Sequence, residues 1–167
     1  EKKLQKEFKS KLTPVVFSSG EMALYSLLQA WMFYLKIKKC KAIVPSLTFA
    51  GTVNALVLNN IEPVFCDINE TLTANINENT KIDKDVKFFI GVSTYGNIPN
   101  LLKIKKFCKK KRLVFLMDSA PAFGSKFKNQ YPNNLGIDEI YSFHTTKVFN
   151  SIEGGCAVSS NKMINKY

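Results

Sequence analysis

A lysine, a carboxylate and one helix start are the residues of this sequence best placed to do chemistry. Ser142-Phe143-His144-Thr145-Thr146-Lys147 puts an amine in a polar turn directly after an apolar run, and Leu116-Met117-Asp118 puts a carboxylate at the end of another. Ser18-Ser19-Gly20-Glu21 opens a long amphipathic stretch with small residues, whose free backbone N–H groups suit a phosphate. Each feature also has an ordinary structural reading. An Asp after a strand is often a turn residue, and a lone lysine is commonly a surface residue. Ser18-x-x-Glu21 has the form of a capping box, in which the Glu21 carboxylate takes a backbone donor at the helix start. Together the three match the needs of pyridoxal 5'-phosphate. Its aldehyde requires an amine, its pyridine nitrogen a carboxylate that keeps it protonated, and its phosphate a helix start with hydroxyls.

The elements that must position these groups alternate in period. Leu24, Leu27, Leu28, Trp31 and Leu35 recur at helical spacing, and 51–59 and 99–111 read as further helices, the latter with Pro99 in its first turn. Between them stand short apolar runs at 42–44, 63–67, 88–92, 113–117, 139–143 and 156–159, which read as strands. The stretch Asn69–Asp85 is polar and reads as a loop with little helix. Apolar strands alternating with helices predict an α/β fold, a mostly parallel sheet covered by helices on both faces. In such sheets ligands sit at the carboxyl ends of the strands. Asp118 and Lys147 both follow strands.

Read in order, the motifs resemble those of the DegT/DnrJ/EryC1/StrS sugar aminotransferases, a branch of the fold-type-I pyridoxal-phosphate enzymes. The blocks are Ser18-Ser19-Gly20 with Ala23-Leu24, then Val44-Pro45-Ser46-Leu47-Thr48-Phe49, then Glu62-Pro63-Val64-Phe65-Cys66-Asp67-Ile68. Tyr95-Gly96, Asp118-Ser119-Ala120-Pro121-Ala122-Phe123-Gly124, and Ser142–Lys147 leading to Glu153-Gly154-Gly155 continue the series. The resemblance implies an aspartate-aminotransferase-like large domain over 1–167, incomplete, with a smaller carboxy-terminal domain absent. It implies that Lys147 forms the Schiff base and shuttles the proton, that Asp118 is the pyridinium partner, and that Ser142 binds the phosphate. Gly20 and Glu21 match the phosphate loop, and Phe49 the aromatic that stacks on the ring. The implied reaction moves an amino group, usually from glutamate as amino donor, to a nucleotide-linked keto sugar for surface polysaccharide or aminosugar synthesis. The implied setting is a cytoplasmic homodimer whose partner subunit completes the phosphate site.

Two positions depart from the family pattern. Glu21 stands where Thr is common, and a carboxylate there competes with phosphate for the same positive helix end. Pro121 stands where Gln or His is common and has no side-chain hydrogen bond to offer. These departures leave a non-catalytic relative as an alternative, and a sugar dehydratase using the same cofactor as another. Some relatives use histidine in place of the lysine and dehydrate the sugar, so the lysine at 147 favours transamination. His144 reads as a local hydrogen-bonding residue of its turn. Glu153-Gly154-Gly155 reads as a close approach of backbone to the cofactor site.

Composition removes other classes. The formal charge of +11 invites a nucleic acid partner. Its densest group, Lys103–Arg112, falls on the helix at 99–111 and reads as a solvated face. No nucleic acid is therefore expected. Four widely spaced cysteines, without a CxxC pair, and a single histidine predict free thiols and no metal site. The apolar runs are too short and too interrupted to insert in a membrane. The charged opening leads into no apolar signal segment. The chain starts without Met and reads as a piece of a longer protein.

Overall fold

A computed structural model describes residues 1–77 and 79–167. Its elements, in chain order, are α1 (Lys2–Phe8), β1 (Val15–Phe17), α2 (Gly20–Tyr34), β2 (Cys40–Pro45), α3 (Ala50–Leu58), β3 (Ile61–Cys66) and β4 (Val86–Val92), then α4 (Leu101–Lys111), β5 (Val114–Asp118), β6 (Asp138–Ser142) and β7 (Gly155–Val158). The strands form one seven-stranded sheet in the order β1-β7-β6-β5-β4-β2-β3. All neighbours from β6 to β3 run parallel, as expected, while β7 is antiparallel to both β6 and β1.

That one reversal decides where the loops meet. With β7 inverted, its first residue, Gly155, lies at the same edge of the sheet as the last residues of β1, β5 and β6. The segments leaving Phe17, Pro45, Val92, Asp118 and Ser142 therefore all emerge at the carboxyl edge, together with the segment entering β7.

Alternation along the strands sorts the core. Leu116, Ile140 and Ala157 face α2 and α3 in one buried cluster, while Phe115, Met117 and Ile137 face α4 in another. On the face opposite α2, Phe8 of α1 stacks on Tyr141 at 4.6 Å and meets Tyr131 edge-on at 5.4 Å. Neither α1 nor β1 was anticipated from the sequence. Helix α4 buries Leu101, Ile104, Phe107 and Cys108 and leaves Lys103, Lys105, Lys106, Lys109 and Lys110 exposed, so the basic run is a solvated face. Its cap is Asn100, whose Oδ1 accepts Lys103 N–H at 3.1 Å, so Pro99 precedes the helix rather than forming its first turn. Within 69–85 the described residues contain no helix, and Glu78 lies outside the described residues. The cysteines are free, with Cys40, Cys108 and Cys156 buried and Cys66 half-buried. Among the described residues no cluster of side chains could hold a metal ion, and no helix is long and apolar enough to cross a membrane.

One carboxylate is sealed in the sheet. Glu139 has no exposed surface, and its oxygens accept from Asn133 N (3.0 Å), Asn133 Nδ2 (2.8 Å), Tyr141 OH (2.7 Å) and Ser119 Oγ (3.3 Å). Burial pushes its carboxyl up to about 7 against the pull of those donors. A carboxyl raised on folding contributes stability that is complete below its unfolded value near 4.5 and is lost as pH rises through 7. Asp118 and Asp138 are raised in the same sense, also chiefly by burial. Unfolding midpoints in urea should therefore fall between pH 5 and pH 8, with Glu139 contributing about 3 kcal/mol across that window. In Glu139→Gln the slope over the window should be visibly shallower. Phe8→Ala should cost about 3–5 kcal/mol, read from the same denaturation curves, because it empties a fully buried aromatic site.

Candidate active site

At the carboxyl edge, Asp118 ends β5 with only 5% of its surface exposed. Its Oδ1 accepts the Ala120 N–H at 3.0 Å, and its Oδ2 accepts the Thr52 hydroxyl at 2.6 Å. Burial holds the carboxyl above the ordinary range, while Thr52, Ala120 and the nearby positive charge of Lys147 pull it back down. A carboxylate held in this way is fixed in orientation and shielded from water.

Lys147 sits in a loop tied at both ends. Phe143 N–H donates to Gly154 O at 2.7 Å, Ser151 N–H to Phe143 O at 2.9 Å and Thr145 N–H to Ile152 O at 2.9 Å. These bonds continue the β6–β7 pairing past the strand ends. Phe149 then stacks on Phe123 at 4.4 Å and meets Phe143 edge-on at 5.5 Å, fastening the tip of the loop to the core. The half-buried Lys147 places Nζ 5.8 Å from the centre of the Phe49 ring, which is 77% exposed. An exposed phenyl face beside an amine leaves room for a flat ring between them.

The helix start lies next to Ser142. A Cβ at position 20 would stand 2.7 Å from Ser142 Cβ, and one at position 155 would stand 2.5 Å from Gly20 N and from Ser19 C and O. Only glycine permits this triple approach of β6, β7 and the first turn of α2. Gly154, at φ 142°, makes the turn into β7. Ser142 Oγ accepts one long bond from His144 N–H at 3.4 Å, and its own proton has no acceptor among the described residues.

The capping box expected at Ser18 is not formed. The cap is Ser19, whose Oγ accepts Met22 N–H at 3.1 Å, because α2 starts one residue later than the box requires. Glu21 instead leans across to α3, with Oε2 lying 3.0 Å from where a Cβ at position 51 would stand. His144 is a residue of its own turn. Its Nδ1 accepts Thr146 N–H at 3.3 Å and contacts Thr146 Oγ1 at 2.9 Å, and its Nε2 faces Glu153 Oε1 at 3.5 Å. An Nδ1 that accepts a backbone N–H places the proton on Nε2, toward Glu153.

Two hydroxyls near Asp118 escaped the sequence reading. Thr52 holds its carboxylate, and Thr48 donates to Thr52 Oγ1 at 2.7 Å. The available signal was two threonines four residues apart, one just before and one in the first turn of a largely apolar helix. Ser93 and Thr94, which follow β4 beside Asp118, also have buried hydroxyls without partners among the described residues.

The donor set suits pyridoxal phosphate. An amine and a buried carboxylate stand at one sheet edge, an open aromatic face lies beside the amine, and a glycine-lined helix start sits against a free hydroxyl. A cavity of about 620 Å³ opens at the other edge of the sheet around Trp31, Lys105 and Asp138 and contains none of these residues.

Comparison with known proteins agrees with this cofactor. The model of the DegT/DnrJ/EryC1/StrS aminotransferase family matches residues 1–167. The chain is 33% identical over 126 residues to GDP-perosamine synthase of Escherichia coli O157:H7, covering 74% of this chain and 35% of the relative. It is also 33% identical over 149 residues to dTDP-4-amino-4,6-dideoxy-D-glucose transaminase of Shigella dysenteriae, covering 88% and 39%. Among solved structures it superposes on E. coli GDP-4-keto-6-deoxy-D-mannose-3-dehydratase with bound hydrated PLP at a TM-score of 0.88 and 27% identity, covering 98% of this chain and 43% of that one. It matches Helicobacter pylori PseC, an aminotransferase involved in pseudaminic acid biosynthesis, at 0.88 and 26%, covering 99% and 44%. The chain thus spans well under half the length of these relatives. On a family match that runs from its first residue to its last, this chain belongs to the DegT/DnrJ/EryC1/StrS aminotransferase family.

Proposed function

We propose that residues 1–167 are the cofactor-binding large domain, without its smaller carboxy-terminal domain, of a pyridoxal-phosphate-dependent enzyme. This enzyme transfers an amino group, from glutamate as donor, to a nucleotide-linked keto sugar. The observation that carries the proposal is the pairing of a buried carboxylate, Asp118, with an amine, Lys147, beside the open face of Phe49. Bound there, the cofactor supplies an electron-accepting ring. The chain's own residues do the rest. Lys147 holds the cofactor covalently and carries the proton, Asp118 keeps the ring nitrogen protonated, and Phe49 stacks on the ring. Gly20, Glu21 N–H and the Ser142 hydroxyl receive the phosphate. The perosamine synthase and transaminase relatives support an amino-transferring activity on a nucleotide sugar, with aminosugars for surface polysaccharide as the product class. The complete enzyme in this reading is a cytoplasmic homodimer.

The first test is chemical. The purified chain incubated with pyridoxal phosphate should develop a visible absorbance band that borohydride fixes to Lys147, located by peptide mass spectrometry. Lys147→Ala should show neither. A folded full-length enzyme that takes up no label at Lys147 would remove the cofactor reading. The full-length enzyme should then form a sugar amine at the expense of glutamate, whereas loss of water from the sugar without amine formation would make it a dehydratase. Gly155→Ala separates the phosphate site from the amine, since its Cβ forces the Ser19–Gly20 backbone away from Ser142. Retention of pyridoxal phosphate should fall at least about tenfold, the loss of roughly one charge-assisted hydrogen bond. Reaction of Lys147 with phosphate-free pyridoxal should be little changed.

A further inference from the structure

Asp118 faces two opposing demands: its place at the end of β5 removes it from water, and a buried carboxylate without partners prefers to be neutral. Its two oxygens are held differently. Oδ1 is taken by the Ala120 N–H in its own turn, and Oδ2 by the Thr52 hydroxyl from the first turn of α3. The 2.6 Å separation is that of a charge-assisted O–H···O bond.

The direction of the hydroxyl chain is fixed by donor count. An ionised carboxylate can only accept, so Thr52 gives its single hydroxyl proton to Asp118. Thr52 Oγ1 is then left as an acceptor, and Thr48 Oγ1 donates to it at 2.7 Å. Thr52 is 2% exposed, so no solvent competes for its hydroxyl. Lys147 is the charged group that acts on Asp118 through space, from the loop after β6. The neighbouring strands offer Ser93 N–H to the Asp118 backbone carbonyl, with Val92 of β4 and Ile140 of β6 as its pairing partners.

We propose that Thr52, supported by Thr48, is a positioning residue for Asp118: the hydroxyl chain fixes the carboxylate's orientation and keeps it ionised in a buried site. The importance of this role rests on the reading of Asp118 as the partner of the cofactor's ring nitrogen. The hydrogen-bond linkage itself does not.

The deciding experiment follows the Asp118 carboxyl carbon by NMR as pH is varied in the cofactor-free chain, with Asp118→Asn identifying the signal. Thr52→Val keeps the shape and loses the hydroxyl, and Thr52→Ser keeps the hydroxyl. In Thr52→Val, Asp118 should bind its proton about tenfold more tightly than in wild type, the effect of losing one hydrogen bond to a charged group. Thr52→Ser should titrate like wild type, and Thr48→Val should move in the same direction by less. An unchanged titration in Thr52→Val overturns the proposal, as does a Thr52→Ser variant that behaves like Thr52→Val, which would assign the effect to packing. If Thr52→Val does not fold, Thr48→Val decides, and a titration equal to wild type overturns the linkage. Pyridoxal phosphate labelling of Lys147 in the same set separates the two readings. A shifted titration with no labelling in the wild-type full-length enzyme removes the cofactor reading and keeps the linkage, and labelling with an unshifted titration does the reverse.

Discussion

The contact on which the site depends is the approach of Gly155 to the Ser19–Gly20 backbone. A side chain at 155 would collide with main-chain atoms, which have no rotamer to escape into. The contact exists because β7 runs against its neighbours and enters the sheet from the carboxyl edge, between β6 and β1. Were β7 parallel, its amino end would lie at the other edge and the chain after Lys147 would need a crossover. Instead, a short loop returns directly, pinned by the Phe143–Gly154 and Ser151–Phe143 bonds. The amine is carried on that loop. One strand reversal thus fixes both the lysine loop and the helix start.

Two sealed carboxylates flank this arrangement on opposite faces of the sheet and are treated differently by their surroundings. Glu139 has four protein donors, burial as the largest influence on it, and a carboxyl pushed up to about 7. It joins β6 to the 3-10 turn at Pro132–Leu135 and to Ser119, a structural role under the connection between β5 and β6. Asp118 has two donors and the charge of Lys147. A carboxylate with few internal bonds and a cation near it is open to one further partner at the sheet edge. The donor count therefore separates the carboxylate that holds the fold from the one available for chemistry.

The sequence was informative where a local pattern carried the signal. The apolar runs from 42–44 to 156–159 placed six of the seven strands to within a residue or two, most directly at β2, β4, β5 and β7, where strands buried on both faces are mostly apolar. Lys147, Asp118, Ser142 and Gly20 were singled out by type and position after strands or at a helix start, and the structure brings them to one edge. What stayed hidden was long-range or marginal. Strand β1 has only three residues, two of them exposed, and no period to detect. Helix α1 is mostly charged, and its docking rests on Phe8 finding Tyr141 and Tyr131, far along the chain. The Thr52–Asp118 bond joins residues that only the folded sheet makes neighbours. The Ser18 box failed for a local reason, since Ser18 and Ser19 both qualify as caps and the sequence does not choose between them.

Glu21 shows how a departure from the family pattern can be absorbed. A carboxylate on the first turn of α2 would repel a phosphate if it remained over its own helix end. In the fold it crosses to the first turn of α3, whose cap, Phe49, has no side-chain oxygen to offer the free N–H groups there. The negative charge thereby complements a second helix end that would otherwise be bare. The start of α2 keeps Gly20 against Ser142, and its one side-chain cap, Ser19, takes only Met22 N–H. The N–H groups of Gly20 and Glu21 are left over for an anion. In the proposed site the substitution therefore removes a hydroxyl contact without placing a like charge on the phosphate.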